Sequence, residues 1–597
     1  MTIPRQPARR RSRLNRPNRP AAVASLLLVL GAPLVAQQAG SGLITFPTSG
    51  SQVAHREFLR GVEALHSFEY EEANEAFVKA QQIEPGFAMA YWGEAMTYHQ
   101  TLWRKEDPAA ARRVLLKLGP TMAARAAKAP TLREKAFLAA IEVLFGPGDA
   151  TARRSGYARA MEQLYSATPG DPDVAAFYAL ALMGLTSRGL VGSADAHEGH
   201  LTSLAGSDTQ RRVHEILDKV LQSHPNHPGA LHYLLHTLDD PQHAALALEA
   251  ARRYAKVAAG SSHALHMPAH IFLQLGMWRE AAQSDRAAYA ASEAWVSRKG
   301  LSPALRNYHA LAWLQYELLQ MGQFQEASEL IGRFVPVVKA TRQLTLLNDL
   351  ASMRARFVVE TRRWDILAGE TNFGNVNELF AVGMSAARLG NAPAAELARQ
   401  RLAERAQSAQ EGDLRPAIAI MEREVAALIA LAAGRRDEAL QILRTAVEAE
   451  LKLPPPLGLP NPIKPAPELL GELLVEAGRP RDALEAFQQA LQRNPNRTLS
   501  VLGRARAAAA AGETETAREH YRALLANYEQ ADADRPEVNE AQVALRAARP
   551  STGAVTVGAG LAGLLSVAFF ARKRALRRAT RRRRHRALPD RPKAMSR

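Results

Sequence analysis

The sequence predicts an all-α protein, a solenoid of helical hairpins that is followed by one transmembrane helix near the C-terminus. Three observations carry this prediction. Small, aromatic and proline residues recur with a period of 34 residues, the length of one helical hairpin in a known class of repeat protein. No convincing run of alternating β-branched residues indicates a strand. The 597-residue chain also exceeds the size at which a single hydrophobic core stops growing, which favours a repeat array.

The repeat is clearest near the start of the body, where Gly61, Ala73, Phe77, Ala80 and Pro85 stand at fixed offsets. The same register recurs as Gly471, Ala483, Phe487, Ala490 and Pro495, then as Ala505, Ala517 and Tyr521, with looser copies on Ala281, Ala327 and Ala439. We expect small residues where helices cross closely, an aromatic ring between helices and proline at a helix end. The pattern resembles the tetratricopeptide repeat over about residues 52–530. The resemblance implies a concave groove that binds a protein or a peptide.

The N-terminus resembles a secretory signal peptide. Residues 1–20 contain seven arginines and no acidic residue, and the uncharged, largely apolar run AAVASLLLVLGAPLVA follows up to Ala36. A basic segment, a short apolar segment and a small-residue exit are the three parts of such a signal. We therefore predict a signal peptide at residues 1–36, cleaved after Ala36. An uncleaved anchor is the weaker alternative because the run is short and contains Pro33.

The C-terminus predicts a membrane anchor. Residues 553–571 are nineteen uncharged residues, and residues 572–597 carry thirteen Lys and Arg against Asp590 alone. This length is just sufficient to span a bilayer, and a basic flank marks the cytoplasmic side. We therefore expect a transmembrane helix at residues 553–571, a cytoplasmic tail at residues 572–597, and the body in the periplasm or cell envelope.

The formal net charge of +17 is concentrated in these two ends. The body between them is consequently close to neutral. A nucleic-acid-binding protein carries its basic surface on the folded domain. We therefore predict no nucleic-acid partner.

Changes in composition divide the chain into blocks. Seven prolines within residues 453–467 predict an extended linker, and glycine-rich polar stretches at residues 189–208 and 369–377 separate helical blocks. The predicted order is a signal peptide at 1–36, an N-terminal repeat block at 52–188, a histidine-containing repeat block at 209–368, a further helical block at 378–452, the proline-rich linker at 453–467, C-terminal repeats at 468–530, the transmembrane helix at 553–571 and the basic tail at 572–597.

Histidines repeat with the same period of 34 residues. His232 and His236 are four residues apart, as are His266 and His270, so each pair shares one helix face. His266 follows His232 by 34 residues, and His270 follows His236 by the same number. The resemblance places both pairs in the concave groove. Three further residues fall on groove positions of the same or neighbouring repeats: His263, His309 and Asp239.

Other histidines are predicted to have ordinary roles. His224 and His227 each precede a proline at a helix start and are predicted to be turn residues. His66 is predicted to pack or to support the site from outside. The phrases HYLLH and HALHMPAHIF resemble a subgroup of bacterial repeat proteins.

The histidine set predicts a metal site built from three neighbouring helices. Nitrogen ligation suits a divalent transition metal: zinc, copper, nickel or iron. Cysteine is absent, which excludes thiolate ligands and cysteine nucleophiles. Two alternatives remain open at this stage: a polar groove that recognises a peptide without metal, and catalytic use of the histidines as acid, base or metal ligand. No motif assigns a catalytic residue or a further cofactor.

Two functions are therefore compatible with the sequence. The first is an exported, membrane-anchored scaffold whose groove holds a protein partner. The second is a metal-binding protein or metal-dependent enzyme that uses the histidine cluster. The first follows from the repeat architecture, whereas the second depends on side chains at a particular site.

We expect the protein to be exported and bound to the membrane. Cells that express the full chain, and a version that ends near Pro550, are fractionated into cytoplasm, envelope and membrane. The full chain should remain with the membrane, and the shortened chain should be released outside the cytoplasm because it lacks the apolar segment. Recovery of both chains as soluble cytoplasmic proteins would contradict the predicted topology.

Overall fold

A computed structural model describes residues 44–185, 206–258, 260–370, 373–409 and 415–547. The predicted signal peptide, transmembrane segment and basic tail lie outside these ranges, as does most of the predicted break at residues 189–208. Among the helices in these ranges, none combines the length and the hydropathy that a membrane crossing requires.

The described residues form 25 α-helices, one short 3-10 helix at Pro303–Leu305 and two very short strands. The first block contains α1 Gln52–His66, α2 Tyr70–Ile83, α3 Ala88–Met96, β1 His99–Gln100, β2 Lys105–Glu106, α4 Pro108–Leu118, α5 Met122–Ala127, α6 Leu132–Leu144, α7 Ala150–Ala167 and α8 Pro172–Met183. The next helices are α9 Asp208–Ser223, α10 Pro228–Thr237, α11 Ala244–Val257, α12 Ser262–Gln274, α13 Trp278–Lys299, α14 Tyr308–Gln320, α15 Phe324–Thr341 and α16 Leu344–Thr361. The last are α17 Val376–Leu389, α18 Ala392–Ser408, α19 Arg415–Ala432, α20 Arg436–Leu451, α21 Ala466–Glu476, α22 Pro480–Arg493, α23 Thr498–Ala511, α24 Thr514–Asn527 and α25 Pro536–Ala547.

The two strands form a small hairpin that the sequence did not predict. β1 and β2 pair antiparallel, with His99 opposite Glu106 and Gln100 opposite Lys105. Arg104 turns the chain with a left-handed φ of 53°, and the hairpin places Trp103 at its tip. Because each strand has only two residues, the alternating pattern that marks a strand in sequence is too short to see.

Helices pack through glycine in the way that the repeat pattern predicts. The ring of Phe77 on α2 lies between Gly61 on α1 and Gly93 on α3. A Cβ atom at Gly61 would lie 2.6 Å from this ring, and one at Gly93 would lie 2.3 Å from it. The ring of Phe487 on α22 repeats the arrangement, since Cβ atoms at Gly471 and Gly503 would lie 2.8 Å and 2.3 Å from it. Only glycine lets three successive helices close around one aromatic ring.

A buried ion network joins the C-terminal repeats to the middle of the chain. Arg497, which is fully buried, donates to Glu360 on α16 at 2.7 Å and to Glu468 on α21 at 2.8 Å. Arg497 also donates to the hydroxyl of Tyr316 on α14 at 3.2 Å. Burying a charge is costly unless it is paired and hydrogen-bonded, and this guanidinium satisfies both conditions.

The proline-rich segment between α20 and α21 packs on the middle helices. Gln274 on α12 donates to the carbonyl of Pro456 at 2.9 Å. A Cβ atom at Gly458 would lie 2.5 Å from the ring of Trp313 on α14. Lys464 reaches Glu468 at 2.7 Å and is itself buried. The segment between α20 and α21 is therefore non-helical, as its prolines predict. It packs against α12 and α14 and contributes to the buried interior.

Replacing Gly503 by alanine should destabilise the protein, whereas replacing Gly332 by alanine should not. Both glycines lie inside helices, but a Cβ atom at Gly503 meets Phe487 at 2.3 Å and one at Gly332 meets nothing within 4 Å. We expect Gly503→Ala to lower the free energy of unfolding by roughly 1–3 kcal/mol, because the added Cβ atom overpacks the contact with Phe487. Gly332→Ala should raise the free energy of unfolding by roughly 0.5–1 kcal/mol, because alanine has the higher helix propensity.

Thermal unfolding of the purified full chain, followed by circular dichroism, measures the difference between these two variants. Because both substitutions share the gain in helix propensity, the difference reports the contact with the ring alone. Equal unfolding midpoints for the two variants would show that the helices do not close around Phe487.

Candidate metal centre

The structure brings the six predicted histidines together as two neighbouring groups of three. His232 and His236 of α10 meet His263 of α12, and we call this group the α10–α12 triad. The second group, the α12–α14 triad, consists of three residues: His266, His270 and His309. Within each triad, one nitrogen from every ring lies within 4.8 Å of the others.

The α12–α14 triad is oriented by carboxylates. His266 donates from Nδ1 to the carboxylate of Asp285 on α13 through a short hydrogen bond. His270 donates from Nδ1 to Asp239 at 2.7 Å. The Nε2 atoms of these two histidines consequently face each other at 3.0 Å. His309 completes the group from α14, its ring centroid 4.8 Å from that of His266.

Both carboxylates are themselves held in place. Asp239 accepts a hydrogen bond at 3.1 Å from Gln274, which also binds the carbonyl of Pro456. Asp285 is fully buried beside Glu317 of α14. Burial and the charge of Asp285 raise the pKa of Glu317 well above its usual range, so that Glu317 is neutral and is able to donate to Asp285.

The α10–α12 triad is oriented by the backbone of the first helix. Nδ1 of His232 lies 2.6 Å from the carbonyl oxygen of His66. A carbonyl only accepts, so Nδ1 of His232 carries the proton and Nε2 has a lone pair. That Nε2 lies 3.0 Å from Nε2 of His263. The ring of His236 is centred 4.9 Å from that of His232.

Burial keeps His232 of the α10–α12 triad neutral, because it lowers the pKa of this ring well below its ordinary value. Phe68 packs on His232 with ring centroids 4.3 Å apart, and Trp103 packs on His263 at 5.4 Å. Tyr254 stacks on the ring of His232 at 5.1 Å. The first block and its hairpin therefore form one wall of the cluster.

Trp313 forms the wall on the other side. Its ring centroid lies 4.4 Å from that of His270 and 4.9 Å from that of His266. His266 and His270 have no exposed surface, and His309 is 7% exposed. The sequence predicted that these histidines line an open groove, and in the structure they are instead covered. The reason is that segments remote in sequence, Phe68 and the proline-rich connector among them, pack over the repeats.

The grouping of the histidines also differs from the predicted one. The sequence placed His232, His236, His266 and His270 around one ion, because the two pairs are one repeat apart. In the structure each pair has a third histidine of its own. Asp239 holds His270 from behind and faces Nδ1, away from the 3.0 Å contact of the Nε2 atoms.

Sequence reasoning missed Asp285, Glu317 and the carbonyl of His66. A signal was available for Glu317, which follows His309 by eight residues and so shares its helix face. Asp285 lies on α13, the second helix of its hairpin, whereas the 34-residue period of the histidines relates only first helices. The carbonyl of His66 comes from a part of the chain 166 residues away, which no local pattern connects.

A third group, the His66 cluster, consists of His66, Asp173 and His227, and both ring nitrogens of His227 are engaged by protein atoms. Nδ1 of His227 accepts from the backbone of Ala230 at 3.1 Å and caps α10, and its Nε2 donates to Asp173 at 3.3 Å. His66 hydrogen-bonds the hydroxyl of Tyr233 through Nδ1 at 2.9 Å, and burial lowers its pKa to about 4. The predicted turn role of His227 is confirmed as a helix cap.

Comparison with known families finds the tetratricopeptide repeat in residues 469–532, which include most of α21 and all of α22 to α24. The predicted resemblance is confirmed for this segment, and membership of the histidine-phrase subgroup stays a prediction. No curated protein matches the sequence.

The solved structures that are similar to the chain include a bacterial repeat protein and a subunit of a hetero-tetramer. A tetratricopeptide repeat protein from Parabacteroides merdae ATCC 43184 has 16% identity over 48% of this chain and 98% of that chain, with a TM-score of 0.28. A chain of the APC/C hetero-tetramer Cut9-Hcn1 has 14% identity over 83% of this chain and 75% of its own, with a TM-score of 0.29.

Replacing His227 by alanine should destabilise the protein, while replacing His224 should not. Both histidines precede a proline, but His227 is 2% exposed and caps α10 whereas His224 is exposed. The loss of the helix cap and of a hydrogen-bond donor to buried Asp173 should lower the free energy of unfolding by roughly 1–3 kcal/mol. Thermal unfolding measures the effect, and an unfolding midpoint of His227→Ala equal to that of His224→Ala would contradict this role.

Proposed function

We propose that the protein binds a divalent transition-metal ion at the α12–α14 triad. One observation carries the proposal: the Nε2 atoms of His266 and His270 face each other at 3.0 Å while both Nδ1 atoms are engaged by buried carboxylates. A histidine that donates from one nitrogen to a carboxylate and presents the other is the usual arrangement of a metal ligand.

The distances suit such an ion. Metal–nitrogen bonds of about 2.0–2.1 Å in a tetrahedral arrangement place two ligand nitrogens about 3.3 Å apart. The observed 3.0 Å between the Nε2 atoms reaches this value with a small rotation of either ring. His309 supplies a third nitrogen within the same 4.8 Å limit. Three nitrogen ligands leave one tetrahedral position open, as in sites where a metal acts as a Lewis acid.

The charges also suit a dication. In their ionised form, Asp239 and Asp285 bring two negative charges to a region where His266 and His270 are fully buried. Glu317 adds no charge, since its raised pKa keeps it protonated. Buried charges require compensation. A divalent cation at the Nε2 atoms neutralises the pair, and zinc, copper, nickel and iron all accept imidazole nitrogen.

The competing explanation is a proton in place of the metal. One histidine of the pair would then be an imidazolium that donates from Nε2 to its neighbour. Such a pair carries one positive charge against two carboxylates, so it leaves the region with a net negative charge. The metal explanation is preferred because it balances the charge and uses the third histidine.

The repeats favour a second role as a scaffold. Tetratricopeptide repeats generally bind protein partners through their helical surfaces, and residues 469–532 match this family. We propose that the protein is exported, is anchored through residues 553–571 and presents the repeats to a protein partner outside the cytoplasm. The basic tail and the apolar segment of the sequence support this proposal. If the experiment below finds no metal, the scaffold function stands alone.

Full-length protein, purified in detergent without a histidine tag and stripped with chelator, should regain at least one tightly bound zinc or copper ion per chain. His266→Ala combined with His270→Ala should remove that ion and leave the helix content nearly unchanged. Binding should weaken below about pH 6.5, because imidazole must be neutral to coordinate. Metal content after desalting, measured by mass spectrometry, and calorimetric titration provide the readouts.

The matched control is His214→Ala combined with His224→Ala, two histidines outside the cluster, which should leave metal content unchanged. Asp239→Asn keeps the ligands and should weaken affinity about 10–100-fold, because it loosens the orientation of His270. Stripped wild-type protein that binds none of the four metals would overturn the proposal. So would a double variant of the α12–α14 triad that binds as many metal ions per chain as wild-type protein.

A further inference from the structure

We infer that the α10–α12 triad is a second metal site, so that the solenoid holds two ions on successive repeats. The inference rests on the proposed function. It adds a binding site with its own ligands, His232, His236 and His263, and it predicts a stoichiometry of two.

The geometry of the second triad repeats that of the first. Nδ1 of His232 donates to the backbone carbonyl of His66, and its Nε2 lies 3.0 Å from Nε2 of His263. In both triads, therefore, one histidine nitrogen is engaged by an oxygen behind it and the other points to a neighbouring imidazole. The acceptors behind the rings differ, a carbonyl oxygen here and carboxylates in the α12–α14 triad. A ligand set of three imidazoles is common to both.

The separation of the triads argues against one shared ion. The first triad bridges α10 and α12, and the second bridges α12 and α14, so the two lie about one helix spacing, or about 8–10 Å, apart. Across the boundary, the rings of His236 and His270 have centroids 6.4 Å apart. Each triad is also complete without a ligand from the other, because all three of its nitrogens fall within 4.8 Å.

The His66 cluster shows that grouped histidines in this fold do not by themselves imply a metal. There one ring nitrogen of His227 accepts the hydrogen bond that caps α10, and the other donates to Asp173. In the α10–α12 triad, by contrast, the two Nε2 atoms of His232 and His263 are directed at each other.

The two triads differ in access. His236 and His263 are partly exposed, whereas His266 and His270 are fully buried. Trp103, at the tip of the β1–β2 hairpin, lies against His263 with ring centroids 5.4 Å apart. The α10–α12 triad is therefore the outer site and the α12–α14 triad the inner one, and a metal ion in the outer site exchanges faster with chelator.

The test is copper titration of stripped, full-length protein in detergent, with metal content measured after desalting. Wild-type protein should retain two ions per chain. His232→Ala with His263→Ala should retain one, and His266→Ala with His270→Ala should also retain one. The control pair, His214→Ala with His224→Ala, should retain two. Circular dichroism of each variant establishes that the helices are intact.

The outcomes separate this inference from the proposed function. One ion in wild-type protein that is lost only on changing His266 and His270 overturns the second site and leaves the proposed function standing. One ion that is lost in either double variant overturns it as well, since the six histidines then share a single site. No ion in wild-type protein overturns both proposals.

Electron paramagnetic resonance of the wild-type protein gives a measurement that does not depend on variants. Copper(II) added to two equivalents should give a spectrum broadened by dipolar coupling, because two ions about 8–10 Å apart interact through space. Half an equivalent should give a narrower spectrum of isolated ions with nitrogen ligands. A spectrum at two equivalents that equals a bound isolated copper plus free copper would overturn the second site.

Discussion

Close packing of successive helices through glycine and alanine sets the spacing on which the histidine cluster depends. Phe77 shows the constraint, since its ring fills the space between three helices and a Cβ atom at Gly61 or Gly93 would strike it. In the middle of the chain Ala264 and Ala281 are fully buried on α12 and α13. Because successive helices are evenly spaced, side chains at equivalent repeat positions lie at the same level along neighbouring helices. Imidazoles on α10, α12 and α14 therefore come within reach of one another.

Buried carboxylates then decide which way those imidazoles point. Asp239 and Asp285 engage the Nδ1 atoms of His270 and His266, so the Nε2 atoms have to face inwards. Ionised carboxylates in a dry interior are costly unless a positive charge accompanies them. Glu317 lessens that cost, since its raised pKa removes a third charge. The electrostatics and the geometry of the α12–α14 triad thus favour the same occupant, a divalent cation.

The walls of the cluster come from parts of the chain that are distant in sequence. Phe68 belongs to the first block, and the proline-rich connector reaches α12 through Pro456. Lys464 of the connector donates to Glu468, which belongs to the buried network of Arg497, Glu360 and Glu468. A solenoid of independent repeats would leave the histidine face open to solvent. The return of these segments buries it, which strengthens each electrostatic interaction inside.

The sequence by itself determined the helical repeat and the equivalence of the histidine pairs, because both are local and periodic. The spacing of Gly471 and Phe487 and the offset of His232 from His266 follow from helix geometry alone. Only the tertiary structure decided that the cluster is buried and that it divides into two triads. Those features depend on contacts across long stretches of chain, such as the carbonyl of His66 on His232. A repeat period predicts which residues occupy equivalent positions on neighbouring helices. The orientation of each imidazole ring is decided by the groups that hydrogen-bond and pack against it.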